Sequence, residues 1–216
     1  MKGKRSAEAS ATVESIHQSD PESGSESEKQ SISSTILLYI HDIVFLVAAI
    51  ILIFSLLFRF VIVSGPSMFN TLVDGDFLLL LSNTFYKNPQ YGDIVVISMD
   101  DFDEGEPIVK RIIATEGQTV DIDFEEGIVY VDGTALEESY TYTPTNTYQG
   151  IQFPLTVDDG CVFVLGDNRN ISKDSRNPEI GLIDKREILG KAIFLIFPGN
   201  DDGNVQRQFN RIGALC

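Results

Sequence analysis

The sequence predicts a mostly β protein in which one N-terminal transmembrane helix precedes the β-rich part. Two observations support this fold class. Residues 43–63 form a single membrane-length apolar run, and short runs rich in Val, Ile and Phe recur after it, bounded by Gly, Asp, Pro and Asn. Such short runs are typical of strands. No long segment with helical periodicity competes with them.

The membrane anchor is predicted over residues 36–63. At about 1.5 Å per helical residue, the apolar run from Ile43 to Val63 covers roughly 30 Å, the thickness of the hydrocarbon core. Arg59 lies near its end, where a long side chain can reach the interface. A buried core helix is the alternative, but nothing else in the chain is large enough to wrap one. Polar residues precede the run and no small-x-small site follows it, so we expect an uncleaved anchor.

Residues 1–35 are rich in Ser and Glu and contain no Phe, Tyr or Trp, which predicts a disordered polar tail. Four basic residues precede the span, and none lies between Arg59 and Lys87 after it. This asymmetry favours a cytoplasmic N-terminus. The following domain, residues 64–216, is then expected on the extracellular side of the cell membrane.

Seven strands are predicted beyond the anchor: Phe77–Ser82, Asp93–Ser98, Ile108–Thr115, Thr119–Phe124, Ile128–Val131, Val162–Leu165 and Lys191–Phe197. The dipeptide Asp132-Gly133, directly after the fifth of these, is a hairpin signal. The polar stretch Glu137–Gln152 contains clustered Tyr and Thr residues. It is predicted to form a loop or the edge of a small subdomain.

Composition excludes several function classes. The chain has 16 Lys and Arg against 32 Asp and Glu, a net charge of −16, which would repel nucleic acid. Its two histidines, His17 and His41, both precede residue 64, so a Ser-His-Asp triad and a His-ligated zinc site are excluded from the rest. Cys161 and Cys216 need not pair, because one opens an apolar strand-like run and the other ends the chain, and the sequence leaves a disulfide between them open. The acidic run at 100–106 is interpreted as a solvated loop, since its glycine is misplaced for an EF-hand.

Ser67 is the candidate nucleophile, because it lies four residues beyond the apolar run, in the segment GPSM. Without a histidine, its base must be a carboxylate or a neutral lysine. Lys110 is the best candidate, since it interrupts an apolar strand pattern together with Arg111. Strand alternation places these two cations on opposite faces. Either one of them is buried, which would lower a lysine pKa from about 10.4 towards neutrality, or both are solvated at an edge strand.

A third segment, Gly166–Arg176 with the sequence GDNRNISKDSR, follows the predicted strand Val162–Leu165 and is dense in hydrogen-bonding groups. A surface turn rich in Asp, Asn and Ser is the alternative interpretation. That interpretation leaves the Asp-Ser-Arg cluster after the turn unexplained.

Together these segments resemble the type I signal peptidases, which are membrane-anchored Ser/Lys proteases. The resemblance covers nearly all of residues 43–197. It rests on four boxes that occur in the family's order after one anchor: Gly65–Leu72 (GPSMFNTL), Tyr91–Val96 (YGDIVV), Val109–Ala114 (VKRIIA) and Gly166–Arg176.

The resemblance implies a role for each box. Ser67 would attack the scissile carbonyl, its backbone N–H would help bind the oxyanion, and neutral Lys110 would act as the general base. Ser172 would hydrogen-bond the lysine amine and orient it, and an ion pair between Asp174 and Arg176 would support it.

Further positions follow from the same resemblance. Asp167 and Asn168 would shape the turn of the last box. Met68, Leu72 and Val109 match positions that line the family's small-residue pockets. The chain departs from the family's usual residues at two places, with Asn70 where a proline is usual and Ile171 where an asparagine is common.

The function implied is a membrane-anchored serine endopeptidase that removes N-terminal signal peptides from exported preproteins, cutting after a small-x-small motif. Its partners would be those signal peptides and membrane lipid, with no nucleic acid, metal or cofactor. The implied fold is an antiparallel β-sheet catalytic domain over residues 64–216, with a smaller β-rich cap at about 117–157. The oligomeric state is left open.

Two other functions are alternatives. A self-cleaving regulator of the LexA type also uses a Ser/Lys pair, but such regulators are soluble DNA-binding proteins, which the anchor and the acidic domain argue against. A non-catalytic, membrane-tethered β-domain is the second. The presence of Ser67, Lys110, Ser172 and Asp174 together argues against it, because a scaffold does not need a buried lysine.

Overall fold

The computed structural model describes residues 23–99, 102, 105–200 and 207–215. The chain forms two compact units, Met1–Ile50 and Ile51–Cys216. Helix α1 (Ser23–Leu57) occupies the described part of the first unit and continues into the second. Within it, Ile36–Leu57 is 22 residues long with a mean hydropathy of 2.7 and no buried share, which is long and apolar enough to cross a membrane.

The helix differs from the expected anchor at both ends. It begins at Ser23, where a disordered tail was expected to continue to residue 35; Glu, Lys and Gln in this stretch are good helix formers. Residues 1–22 lie outside the described part. The helix ends at Leu57 rather than 63, because the apolar residues that follow are aromatic and β-branched and form strand β1 (Phe58–Ile62).

The main sheet is antiparallel. It contains β1, β2 (Phe77–Ser82), β3 (Ile94–Ile97), β4 (Ile108–Thr115), β9 (Cys161–Leu165), β10 (Ile183–Asp184), β11 (Ile188–Phe197) and β12 (Gly213–Ala214). Its strand order is β1-β2-β11-β3-β4-β9-β10, and β12 pairs with β11. Three-residue 3-10 helices lie at Lys185–Glu187 and Phe209–Arg211.

A smaller sheet forms from the segment between β4 and β9. It has the order β7-β6-β5-β8, with β5 at Thr119–Asp123, β6 at Ile128–Val131, β7 at Thr134–Ala135 and β8 at Leu155–Thr156. The turn at Asp132 and Gly133, both with positive φ (50° and 76°), joins β6 to β7. Positive φ at both central residues is what a tight hairpin requires.

The mostly β fold class is confirmed. Strands β2, β4 and β6 have the predicted bounds, and each of the other predicted strands overlaps an observed one. Cys161 is free, and Cys216 lies outside the described residues. The same is true of residues 100, 101, 103 and 104 of the acidic run.

The core divides into three apolar clusters. One packs Met68, Leu72 and Val109 with residues of β2, β3 and β11. The second lies between β4, β9 and the smaller sheet, around Phe163 and Val120. The third packs residues of β3, β4 and β9 against Ile180, Ile183 and Ile188. The strands that flank the candidate site are therefore buried on both faces.

Candidate active site

Ser67 lies in the loop between β1 and β2. The base of this loop is closed by two backbone hydrogen bonds, from the Val63 N–H to the Asp76 carbonyl and from the Gly75 N–H to the Val63 carbonyl, each 2.9 Å. Within the loop, the Leu72 N–H donates to the Met68 carbonyl at 2.8 Å, so the segment after the serine forms a helical turn.

Lys110 reaches Ser67 from the neighbouring part of the sheet. Its Nζ donates to the Ser67 Oγ at 3.0 Å and to the Val109 carbonyl at 3.0 Å. The lysine is only 3 % exposed. Burial lowers the pKa of Lys110 from its ordinary 10.5 to about 8, although the carboxylates of Asp174 and Asp167 oppose this by favouring the charged amine.

Strand β4 lies inside the sheet, so the arrangement with both cations solvated at an edge strand is wrong. Lys110 is paired with Val95 of β3, and Arg111 with Leu165 of β9. Both cations are buried. The Lys110 amine contacts a hydroxyl, whereas the charge of Arg111 is compensated by a carboxylate. The strand pattern in the sequence does not distinguish these two environments.

Arg111 forms a buried, two-point ion pair with Asp167. Its Nε donates to one carboxylate oxygen at 2.9 Å and its Nη2 to the other at 2.7 Å. The guanidinium also lies 4.0 Å from the centre of the Tyr140 ring. The Thr71 hydroxyl donates to the same carboxylate. Asp167 therefore connects the strand that carries Lys110 to the loop that carries Ser67.

Asn168 contacts the nucleophile loop through its backbone and side chain. Its N–H donates to the Ser67 carbonyl at 3.0 Å, and its Nδ2 donates to the Pro66 carbonyl at 3.2 Å. Gly166 lies against the same carbonyl: a Cβ at this position would come within 2.6 Å of the Ser67 oxygen and 2.2 Å of the Ser172 Oγ. This close approach explains why a glycine opens the segment.

Ser172 is buried beside this contact, and the hydrogen bond to the lysine amine that the resemblance implied is not among those of the described residues. Its hydroxyl donates to the Lys173 carbonyl at 3.4 Å, and the Lys110 amine donates to Ser67 and Val109 instead. Since the Ser172 Oγ lies so close to Gly166, the residue packs the turn against the nucleophile loop.

Asp174 and Arg176 form the expected ion pair, with both side chains fully buried. Two hydrogen bonds join them, from the arginine Nε at 2.8 Å and from Nη2 at 2.9 Å. Asp174 also accepts the Gly166 N–H at 3.0 Å, and the Arg176 Nη1 donates to the Thr147 carbonyl at 3.0 Å. The pair thus fixes the turn at Gly166 and ties it to the long loop of the smaller sheet.

The expected pocket residues Met68, Leu72 and Val109 are buried, at 0 %, 0 % and 6 % exposure, and belong to one core cluster. Beside the nucleophile loop lies an open cavity of about 430 Å³. Its lining includes Ser64, Gly65, Pro66, Phe69 and Asp74.

The arrangement can support nucleophilic chemistry. A hydroxyl in hydrogen-bond contact with a buried amine of lowered pKa is the geometry of an activated nucleophile. The Ser67 N–H has no acceptor among the described residues, which leaves it available to an oxyanion. No group of three or more His, Cys, Asp and Glu residues in the described part is placed to hold a metal ion.

Comparison with known proteins identifies the family to which the chain belongs. Residues 36–197 match the family described as signal peptidase, peptidase S26. The chain belongs to this family. The peptidase is therefore a membrane-anchored serine endopeptidase that removes signal peptides from preproteins.

Several relatives of this signal peptidase cover most of its length. It is 36 % identical over 167 residues to a probable signal peptidase I-1 of Synechocystis. This alignment covers 71 % of this chain and 81 % of the relative. It is 34 % identical over 171 residues to a signal peptidase I of Bacillus licheniformis, with 76 % and 89 % covered. A crystal structure of a signal peptidase I from Enterococcus faecalis is 29 % identical, covers 49 % of this chain and 97 % of that one, and has a TM-score of 0.40.

Sequence reasoning missed several residues of the peptidase's site. The strand pattern singles out Arg111 but does not indicate its partner, because the carboxylate lies 56 residues away in the sequence. Arg169, fully buried, donates to both oxygens of Glu138. Arg211 pairs with the buried Asp76 and also donates to the Thr71 carbonyl at 3.1 Å. Only Arg169 has a signal in the local sequence. It is a basic residue inside a turn that is otherwise rich in Asp and Asn.

Proposed function

We propose that Ser67 and Lys110 form the catalytic dyad with which this signal peptidase cleaves preproteins. The observation that carries the proposal is the 3.0 Å hydrogen bond from the Lys110 Nζ to the Ser67 Oγ, made by an amine whose pKa burial lowers to about 8. A substantial fraction of such an amine is neutral at pH 7 to 8, whereas an ordinary lysine is almost fully charged.

In the acylation step, the neutral Lys110 amine takes the proton of the Ser67 hydroxyl as the oxygen attacks the scissile carbonyl. A C–O bond forms, the carbonyl oxygen becomes an oxyanion, and the Ser67 N–H donates to it. Collapse of this intermediate breaks the C–N bond. The ammonium of Lys110 gives its proton to the departing amine, which leaves a neutral base and an acyl-enzyme.

In the deacylation step, the same amine takes a proton from a water molecule that attacks the acyl carbonyl. The bond to the Ser67 Oγ breaks, and the proton returns from Lys110 to that oxygen. The signal peptide leaves with a new carboxylate, and the dyad is restored. A single lysine serves as base and acid in both halves, so neither a histidine nor a metal ion is required.

The surrounding residues act by position. Asn168 holds the Ser67 and Pro66 carbonyls, and the Arg111–Asp167 pair fixes the strand next to Lys110. The Asp174–Arg176 pair fixes the turn at Gly166 that carries Ser172 and touches the Ser67 carbonyl. Small displacements of a nucleophile reduce rates strongly, so this support matters for turnover.

The substrate is proposed to be a preprotein cut after a small-x-small motif. Met68 and Val109 adjoin Ser67 and Lys110 in the sequence, and both pack with Leu72 in one buried cluster. The proposal is that these large apolar side chains limit the space next to the dyad to small substrate residues. This selection would distinguish alanine-like residues from larger ones by steric exclusion.

Membrane attachment would hold Ser67 and the cleavage site of the substrate at similar distances from the bilayer surface. Ser67 follows ten residues after Leu57, the last residue of the membrane-length helix. A signal peptide likewise has its cleavage site a few residues beyond its apolar segment. We place the N-terminus on the cytoplasmic side and the domain from residue 64 on the extracellular side, in contact with lipid, from the distribution of basic residues around the span.

The direct test is cleavage of a preprotein with an Ala-x-Ala site by the full chain in detergent or lipid. Ser67→Ala and Lys110→Ala should each abolish detectable cleavage. The controls Ser98→Ala and Lys173→Ala change the same residue types outside the dyad and should retain parental activity. Cleavage by either dyad variant at the parental rate would refute the mechanism. A parent protein that cleaves nothing would favour the tethered, non-catalytic β-domain.

A further inference from the structure

A basic pocket of about 320 Å³ lies at the end of β2 and the start of β11, and Ser67 is not among its lining residues. Three of its lining residues are cations, Lys87, Lys185 and Arg186, and two more, Asn83 and Tyr86, carry hydrogen-bonding side chains. None of the lining residues is a carboxylate. The chain has twice as many acidic as basic residues, and three of its 16 basic residues line this one pocket. Such a concentration of positive charge indicates an anion site.

The pairing of strands places this pocket close to the residue at which the apolar helix ends. The apolar helix ends at Leu57, and the next residue, Phe58, is paired with Leu81 of β2. Asn83 lies two residues further along and donates its N–H to the Leu189 carbonyl. With strands about 4.8 Å apart and a rise of about 3.3 Å per residue, Asn83 lies roughly 8 Å from Phe58. That distance is comparable to the headgroup layer on one side of a bilayer, about 5 to 8 Å.

The cations differ in how far they are already compensated. Arg186 is paired with Asp184 on one edge of its guanidinium, but its side chain is 90 % exposed, and exposed pairs of this kind contribute little. Lys185 is paired with Glu116. Lys87 is exposed and forms no ion pair with any residue in the described part of the chain.

The nearby carboxylates do not occupy the pocket. Asp93 accepts the Tyr86 hydroxyl at 2.6 Å and is paired with Lys191. Glu187 accepts the Asp184 N–H at 3.1 Å and completes the cap of the 3-10 helix. The turn after β2 also carries Phe85, which is 51 % exposed. An exposed phenylalanine can bury its apolar ring at the boundary between lipid headgroups and acyl chains.

We propose that this pocket binds the phosphate of an anionic phospholipid headgroup, with Lys87 and Arg186 as the principal contacts and Lys185 and Asn83 as further donors. The proposal rests on the membrane attachment in the proposed function and not on the chemistry of Ser67. Bound lipid would give the domain a second attachment to the bilayer beside the helix and so restrict its orientation. Cleavage of a membrane-bound preprotein would then depend on anionic lipid, whereas cleavage of a short soluble peptide would not.

Binding can be measured on the full chain in detergent by native mass spectrometry, with phosphatidylglycerol and phosphatidylcholine added separately. The parent should retain phosphatidylglycerol preferentially. Lys87→Gln and Arg186→Gln should each weaken that retention about five-fold, the effect of one cation near an anionic surface, and the double variant about 25-fold. Lys173→Gln, a matched exposed cation elsewhere, should not change it.

Two further measurements separate the outcomes. Inorganic phosphate at millimolar concentration should compete only weakly with lipid; full displacement would assign the pocket to a soluble anion and overturn the lipid proposal. Equal phosphatidylglycerol retention by the parent and the double variant would overturn it as well. Cleavage of a soluble Ala-x-Ala peptide should be the same in the parent, Lys87→Gln and Arg186→Gln. If that peptide is not cleaved while lipid selectivity persists, the catalytic proposal fails and the lipid site stands.

Discussion

The Nζ of Lys110 lies 3.0 Å from the Oγ of Ser67, although the two residues are 43 positions apart. Lys110 is held in an interior strand between β3 and β9, and Ser67 in a loop closed by the Val63–Asp76 backbone pair. The hydrogen bond therefore depends on the sheet register and on the loop base together. It follows that substitutions far from either side chain can disturb the dyad.

Lys110→Met is expected to stabilise the protein. A buried lysine whose pKa falls from 10.5 to about 8 on folding destabilises the folded state by about 3 kcal/mol at pH 7. Between pH 8 and 10.5 the unfolded chain binds more protons than the folded one, so the stability of the parent rises with pH. Thermal unfolding in detergent should give a higher Tm for Lys110→Met than for the parent below pH 8. This difference in Tm should become smaller above pH 8. A Lys173→Met control should show neither, and a parent that equals Lys110→Met at pH 7 would contradict a buried amine of lowered pKa.

Asp174→Asn is expected to destabilise the domain by about 3 to 5 kcal/mol, because it leaves the Arg176 guanidinium buried without a counter-charge. The control is Glu179→Gln, which removes one partner of the exposed Lys173–Glu179 pair and should change stability by less than about 1 kcal/mol. Chemical denaturation of the two variants measures the contrast. Equal shifts in the denaturation midpoint would show that the buried pair is not a major support.

Gly166→Ala is expected to reduce turnover about a hundredfold or more, the effect of a displacement near 1 Å at a nucleophile. The added Cβ would lie 2.2 Å from the Ser172 Oγ and 2.6 Å from the Ser67 carbonyl oxygen, so that the nucleophile loop must move. Gly213→Ala in β12 has no atom within 4 Å of the added Cβ and provides the matched control. The kcat for a soluble peptide substrate measures both. An unaltered kcat in Gly166→Ala would mean that the turn does not hold Ser67.

Arg211 and Asp76 are expected to be strongly coupled. Asp76 is fully buried and accepts from Arg211, from the Val73 N–H at 2.9 Å and from the Gly199 N–H at 2.7 Å. A double-mutant cycle with Asp76→Asn and Arg211→Met should yield a coupling energy of about 1 to 3 kcal/mol in stability. The same variants should lower kcat, since Arg211 also holds the Thr71 carbonyl in the nucleophile loop. Additive effects of the two substitutions would contradict a direct clamp.

Much of the fold could be predicted from local pattern. The sequence predicts strands β2 and β4 at their observed bounds, because β-branched and apolar runs between turn residues indicate where a strand begins and ends. Strand β1 was assigned to the anchor, because Phe58–Ile62 continues the apolar run without a turn residue. Hydropathy does not show where a helix ends if the next strand is apolar as well.

Only part of the candidate site could be predicted from the sequence. Ser67 and Lys110 could be named because the absence of histidine restricted the choice of base and because the sequence resembles a family. The burial of both Lys110 and Arg111 could not be predicted, since it depends on β4 having neighbours on both sides. Asp167 and Arg111 come together because the β4–β9 register pairs Arg111 with Leu165. No local sequence pattern reveals that register. The hydrogen bond expected between Ser172 and the lysine amine is not among those of the described residues, where the Ser172 Oγ lies close to Gly166.

The pH dependence of kcat/KM for a soluble Ala-x-Ala peptide tests the dyad most directly, because it reports the ionisation of groups in the free enzyme. Activity should rise with pH through a single ionisation near pH 8, as the buried Lys110 amine loses its proton, and Lys110→Ala should have no measurable activity at any pH. A rate that is flat between about pH 6.5 and 9.5, or a Lys110→Ala enzyme with the parental profile, would contradict a catalytic pair of Ser67 and neutral Lys110.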